Sequence, residues 1–182
     1  MSEKVKKKIL FVDQSLDSGG AERVMCTIIR SLDPNYFDIS LVLVSSAGSL
    51  IKLIPDHVKV YILGVSKTRH AAWKFGLLLR KCKPNVIFAT TERSIVLSII
   101  GSFFLLRKCK LIARFPNTIS KQKNAGLQVG WRYVAIKFGI RLCDVVISQT
   151  ELMSTDLINF MGVHKEKIKI IRNPVDMEYI PS

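Results

Sequence analysis

The residues best placed to handle an anion lie in one loop near the start of the chain. Lys8-Ile9-Leu10-Phe11-Val12 reads as a strand and Val24-Met25-Cys26-Thr27-Ile28-Ile29 as a helix. Ser18-Gly19-Gly20-Ala21-Glu22-Arg23 joins them. Glycine lets the main chain come close to a ligand, and a helix N-terminus carries roughly half a positive charge. The amides of Gly19, Gly20, Ala21 and Glu22 are therefore candidates to hold a phosphate. The same residues also suit a plain strand-to-helix turn, because two glycines are a shorter signature than a full phosphate loop.

A second candidate is Arg114, which ends the apolar run Leu111-Ile112-Ala113. Its guanidinium offers a planar fork of donors to a phosphate. A structural arginine at a strand end is the alternative. Metal chemistry finds no footing. Cys26, Cys82, Cys109 and Cys143 are scattered without close pairs, and His57, His70 and His164 fall in stretches that read as surface or loop. Such cysteine spacing suits reduced, partly buried thiols in a cytosolic protein, and neither a zinc site nor a disulfide framework.

The elements that must position these groups alternate along the chain. Strands are expected at 7–12, 37–44, 58–63, 85–89, 109–114, 144–148 and 167–172. Most are short, β-branched and apolar at successive positions, as buried parallel strands are. Helices are expected at 21–32, 69–82, 93–106, 127–142 and 151–161, with a short turn from Gly48 through Ile54. Asp33-Pro34-Asn35 and Lys83-Pro84-Asn85 separate helices from the strands that follow. The expected fold is a single α/β domain, a doubly wound and mostly parallel sheet of about seven strands. Ligands of such sheets bind beyond the carboxyl ends of the strands.

A chain of 182 residues, 48% of them apolar, can build one sizeable core. The N-terminal lysines precede only four apolar positions, Ile9-Leu10-Phe11-Val12, before Asp13, too few for a secretory signal. The net charge of +14 is concentrated in one region. Between His57 and Cys143 there are 17 Lys/Arg and one acid, Glu92; the rest of the chain holds 11 Lys/Arg against 13 Asp/Glu. A block of one sign steers a protein to nucleic acid, an anionic membrane or phosphorylated substrates, unless it serves solubility alone. The apolar run Ile95–Leu106 is 12 residues long, and a bilayer-spanning helix needs about 20. It reads as a core helix, or as an interfacial segment followed by Arg107, Lys108 and Lys110. The stretch 127–142 sets Arg132, Lys137 and Arg141 among Trp131, Tyr133, Phe138 and Leu142, which fits either a membrane surface or a solvated cationic face.

The C-terminal third narrows the reading. Asp144-Val145-Val146-Ile147-Ser148-Gln149-Thr150-Glu151 is a strand running into a capped helix. Met161-Gly162-Val163, Lys167-Ile168-Lys169-Ile170-Ile171 and Arg172-Asn173-Pro174-Val175-Asp176 follow in order. With the Gly-Gly-Ala-Glu-Arg loop and Lys83-Pro84-Asn85-Val86-Ile87, this ordered set resembles the N-terminal half of the family 4 glycosyltransferases. These are retaining, nucleotide-sugar-dependent enzymes of the GT-B type, in which two Rossmann-like domains face across a cleft. The resemblance implies a Rossmann-like domain over residues 1–172 and the start of an interdomain linker at 173–182, with Asn173 and Pro174 in it. The second domain, which carries the main donor site, has no counterpart here. The resemblance thus implies an acceptor-side domain separated from a larger enzyme, rather than one subunit of a natural two-chain transferase.

The resemblance assigns Gly19, Gly20, Ala21 and Glu22 to the donor's phosphates. It implies acceptor contacts at Arg114, Asn117, Thr118, Lys121 and Lys123. Many relatives carry a histidine just after the fifth strand, where this chain reads Ile112-Ala113-Arg114-Phe115-Pro116-Asn117-Thr118. Glu92, expected at the end of the fourth strand and with Arg114 a candidate catalytic residue of this half, either pairs with Arg93 or Arg114 or contacts a sugar hydroxyl. No cofactor or metal is implied, and the nucleotide-sugar is a co-substrate. The expected partners are that donor, a lipid-linked or polysaccharide glycan acceptor of the cell envelope, and the anionic surface of the membrane's cytoplasmic face, where the protein is expected to be peripheral. Two rivals fare worse. A nucleic-acid-binding α/β domain has only Trp131 and Tyr133 beside Arg132 to offer as stacking groups. A dinucleotide-dependent oxidoreductase needs Gly-x-Gly-x-x-Gly and an acid ending the second strand, which here ends in Ser45-Ser46.

Overall fold

Alternate side chains on the central strands enter two separate apolar layers, so both faces of the sheet are covered. Leu10, Val12, Val42, Ile87, Ala89, Leu111, Ala113 and Val146 pack into one layer. Phe11, Ile39, Leu41, Leu43, Phe88 and Ile147 pack into the other, with the Phe11 and Phe88 rings 5.2 Å apart. This two-sided burial is why the strands read as nearly continuous apolar runs. The computed structural model describes residues 5–65, 68–105, 109–116 and 131–174.

Seven strands form one sheet: β1 (Lys7–Asp13), β2 (Phe37–Leu43), β3 (Lys59–Ile62), β4 (Val86–Ala89), β5 (Lys110–Arg114), β6 (Val145–Ser148) and β7 (Ile168–Ile170). Their order is β3-β2-β1-β4-β5-β6-β7, and every pairing is parallel. Between them run α1 (Gly20–Ser31), α2 (Thr68–Cys82), α3 (Glu92–Phe103), α4 (Trp131–Gly139) and α5 (Glu151–Asp156). A 3-10 turn at Ser49–Leu53 follows β2, another at Ile140–Leu142 extends α4, and a π turn at Leu157–Met161 extends α5. The expected helix at 127–142 is thus seen from 131 onward, its first four residues lying outside the described residues. The expected strand at 167–172 shortens to three residues, preceded by a 3-10 turn at Lys165–Lys167.

The winding direction changes at β1. The chain moves outward through α1 to β2 and β3, then returns through α2 to β4 on the other side of β1. Right-handed crossovers therefore put α1 on one face and α2 to α5 on the other. The packing agrees: Met25, Cys26 and Ile29 of α1 join one layer. Phe75 and Leu79 of α2, Ile95 and Ile99 of α3, Ile136 of α4 and Met153 of α5 join the other. A crevice must open at the carboxyl ends of β1 and β4, where the connections that follow these paired strands leave to opposite faces of the sheet. The apolar run Ile95–Leu106 supplies α3, which buries Ile95, Leu97, Ile99 and Gly101 against the core. Among the described residues, no helix is long and apolar enough to cross a membrane.

Candidate functional site at the carboxyl ends of the strands

The site begins with how α1 starts. Leu16 is fully buried, and its amide and carbonyl bond to Ala47 and Leu50 of the loop after β2 (3.2 and 2.8 Å). This fixes the polar loop that leads into the helix. Gly19 is the N-cap, in extended conformation, with no side chain to satisfy the first-turn amides. Neither Gly19 nor Gly20 is among the positive-φ glycines, Gly48, Gly64 and Gly162. Backbone conformation therefore does not demand them. A Cβ at Gly20 would meet nothing within 4 Å, so the missing side chain leaves open space. At Gly19 a Cβ would strike the Glu22 carboxylate, which folds back over the loop.

That open space belongs to a cleft of about 520 Å³ lined by Gly20, Ala21, Glu22, Thr91, Arg114, Pro116, Gln149 and Asn173. Gly19 is not among the lining residues; it caps the helix whose first turn is. Arg114 ends β5 and is only 3% exposed. Its Nη2 donates to Asn173 Oδ1 at 2.6 Å. Its Nη1 is buried and has no hydrogen-bond partner. Burial pulls the Arg114 pKa below the ordinary guanidinium value. A buried, half-satisfied cation beside the positive end of a helix is costly in the free chain. An anion placed to accept from Nη1 would offset that cost, and Gly20, Ala21 and Glu22 of the first turn of α1 line the same cleft.

A polar network supports this floor. Asp13, the last residue of β1, is fully buried. Thr90 Oγ1 donates to its Oδ2 (2.7 Å); Thr91 Oγ1 (3.1 Å) and the Gln14 amide (2.7 Å) donate to its Oδ1. Burial pushes the Asp13 carboxyl above the usual carboxylate value, the bonds from Thr90, Gln14 and Thr91 oppose the rise, and the Glu22 charge adds to it. Thr91 is also the N-cap of α3, in a reciprocal capping box with Ser94. Asp13 therefore ties the end of β1 to the start of α3 across the switch point. Gln149, just after β6, donates to the carbonyls of Phe115 (3.2 Å) and Pro116 (3.3 Å) and so holds the segment after β5. Ser148, at the end of β6, carries a buried hydroxyl with no partner.

The structure brings together Gly20, Ala21, Glu22 and Arg114 from the expected set, and adds Asn173. Asn173 was expected only in the linker, and its neighbour Pro174 is exposed. Glu92 needs correcting. The Thr91–Ser94 capping box starts the helix at Glu92, so this acid is a first-turn residue of α3, favourable to the helix dipole, and not the end of β4. It does not line the cleft. Asn117, Thr118, Lys121 and Lys123 lie outside the described residues. His57, His70 and His164 are all exposed. Asp13, Thr90, Thr91 and Gln149 were missed, although each is a polar residue directly after a buried apolar strand.

The model of the family described as Glycosyltransferase Family 4 matches residues 18–179. Among solved structures, HepE of Anabaena in complex with UDP and glucose is 21% identical with a TM-score of 0.74, covering 94% of this chain and 46% of its own. The lipopolysaccharide outer core galactosyltransferase WaaB is 12% identical with a TM-score of 0.71, covering 95% and 47%. Sucrose-phosphate synthase of Thermosynechococcus elongatus is 11% identical with a TM-score of 0.69, covering 92% and 48%. The chain thus has the fold of one half of these molecules and spans about half their length. No curated protein is similar enough in sequence to match.

Proposed function

Since the chain belongs to Glycosyltransferase Family 4, we propose that it forms the acceptor-side wall of a two-domain transferase. That enzyme moves a sugar from a nucleotide-sugar to a lipid-linked or polysaccharide acceptor in cell-envelope glycan synthesis. The observation that supports the reading is one cleft lined both by an uncapped helix N-terminus and by Arg114, a buried guanidinium whose Nη1 lacks a partner. As the bond between sugar and diphosphate breaks, negative charge grows on the departing oxygen. Fixed amides at Gly20, Ala21 and Glu22 and a fixed guanidinium stabilise that charge without reorganising. Asp13, Thr90 and Thr91 act at one remove, by holding the end of β1 and the start of α3 in register. Gly20 has no Cβ, so the ligand can approach the main chain there.

In this reading Asn117, Thr118, Lys121 and Lys123 contact the acceptor, and Asn173-Pro174 leads to the donor-binding domain. The UDP and glucose bound to HepE and the lipopolysaccharide role in WaaB's name support a nucleotide-sugar donor and an envelope acceptor. The enzyme works as a peripheral protein at the cytoplasmic face of the membrane, where a lipid-linked acceptor is met. One wall cannot position both substrates. Purified as 182 residues, the chain is therefore expected to show no transfer from any nucleotide-sugar. Joined to a second Rossmann-like domain of the same family, it is expected to become active. Robust turnover by the 182-residue chain alone contradicts the reading.

A further inference from the structure

Of the four helices on one face of the sheet, α2, α3 and α4 each turn apolar side chains away from it. On α2 the outward stripe is Trp73, Leu77 and Arg80; on α3 it is Arg93, Ile100 and Phe103, with Val96 half-buried between them and packed on the core; on α4 and its 3-10 extension it is Val134, Phe138, Arg141 and Leu142. The spacings are three or four residues, so each set lies along one helix side. Trp73 is 62% exposed, Phe103 56% and Phe138 63%, and Leu77, Ile100, Val134 and Leu142 are exposed as well. The inner stripes of the same helices are in the core. On the opposite face, α1 exposes no large apolar side chain. The outer stripes are therefore a property of one face and not of the helices in general.

Charge identifies what covers this face. Arg80, Lys81, Lys83, Arg93 and Arg141 are exposed among or beside the stripes, and Arg141 stacks over the Phe138 ring at 5.7 Å. The three helices contain a single acid, Glu92. A second copy of this chain would bring like charges together, so the face is not self-complementary. A groove of about 660 Å³ opens between the C-terminal ends of α2 and α3, with Arg80 and Lys83 beside Phe103, Phe104 and Leu105. Cations beside an apolar wall match a phosphate headgroup joined to an acyl chain.

We infer that the outer face of α2, α3 and α4 docks on an anionic phospholipid bilayer, with Trp73 and Phe103 entering the interface and Arg80 and Lys83 meeting headgroup phosphates. This rests on the membrane-side reading proposed above and assigns it to one face. That face is separate from the cleft at the strand ends, which it leaves free for substrate.

The test uses the 182-residue chain and vesicles of phosphatidylcholine with or without phosphatidylglycerol, at low and high salt. The chain has two tryptophans, Trp73 and Trp131, so a Trp131→Phe variant makes Trp73 the reporter. The expected result is sedimentation with anionic vesicles only, release at high salt, and quenching of Trp73 by brominated lipid. The pair Trp73→Ala and Phe103→Ala, both exposed, should weaken vesicle binding at least tenfold while the chain stays folded, with a modest fall in unfolding temperature from the lost edge contact between the Trp73 and Phe104 rings. Vesicle binding that leaves Trp73 unquenched and survives the double variant overturns the assigned face while keeping the membrane reading. No binding to anionic vesicles at low salt overturns both. Equal binding to duplex DNA reduces the face to a nonspecific polycation, and a dimer abolished by Trp73→Ala shows that a second copy covers it instead.

Discussion

Replacing Arg114 by methionine separates the cost of this side chain from its use. Arg114 is almost fully buried and leaves Nη1 without a partner. Its one described bond goes to Asn173, which is exposed. Methionine keeps an unbranched stem and removes the charge, and water satisfies Asn173 afterwards, so no orphan is left behind. Exchanging buried ionic groups for apolar ones of similar volume ranges from neutral to about 4 kcal/mol stabilising. Here the lost bond to Asn173 takes back part of the gain, which leaves a net stabilisation of about 0–3 kcal/mol. At roughly 2–4 °C per kcal/mol for a domain of this size, Arg114→Met should unfold at an unchanged temperature or up to about 12 °C higher. The opposite holds for ligand. A charge-assisted hydrogen bond is worth about 1.5–3 kcal/mol, so affinity for pyrophosphate should fall by about 10–150-fold. Thermal unfolding and calorimetric titration read the two effects on the same samples. If Arg114→Met loses more than about 1 kcal/mol of stability, or binds pyrophosphate like the wild type, then Arg114 is a strut and the reasoning from its orphaned nitrogen fails.

Gly20→Val should change stability by less than about 0.5 kcal/mol, since its side chain enters open space, yet abolish transfer by the complete enzyme; a variant with normal turnover moves the site elsewhere. Asp13 has a raised pKa in the fold, so the native state holds its proton to higher pH than the unfolded state does. Its contribution to stability is therefore lost as pH rises from the ordinary carboxylate value through the raised one. Asp13→Asn should flatten the fall in denaturant-measured stability over that window, and an unchanged slope refutes it. Burial pushes the Cys26 thiol up to about 11, and Cys109 and Cys143 are also buried, whereas Cys82 is half-buried. Native alkylation read by mass spectrometry should modify Cys82 first, and early labelling of Cys26 contradicts the burial argument.

The order of strands and helices was legible because two-sided burial writes itself as apolar runs, and because the prolines at 34 and 84 separate helices from strands. The start of α1 at the paired glycines and the place of Arg114 at a strand end were legible for the same reason. The supporting network was not. Asp13 and Thr90 are 77 positions apart, and only the switch in strand order makes β1 and β4 neighbours. A signal was present: Asp13 follows Val12, Thr90 and Thr91 follow Ala89, and Gln149 closely follows Ile147, each a polar residue directly beyond a buried strand. Glu92 was misplaced because its own neighbour, Thr91, stops the strand and caps the next helix. Asn173 read as linker because its partner, Arg114, is 59 positions away.

The central claim is that the first turn of α1 and the guanidinium of Arg114 together hold a diphosphate. Titrating the isotope-labelled chain with pyrophosphate, while following backbone amides and arginine side-chain nitrogens by NMR, tests it most directly. Saturable shifts of the Gly20, Ala21 and Glu22 amides and of the Arg114 guanidinium are expected, all with one dissociation constant. Shifts confined to the exposed lysines of the basic stretch, with Gly20 and Arg114 unmoved at saturation, would contradict it.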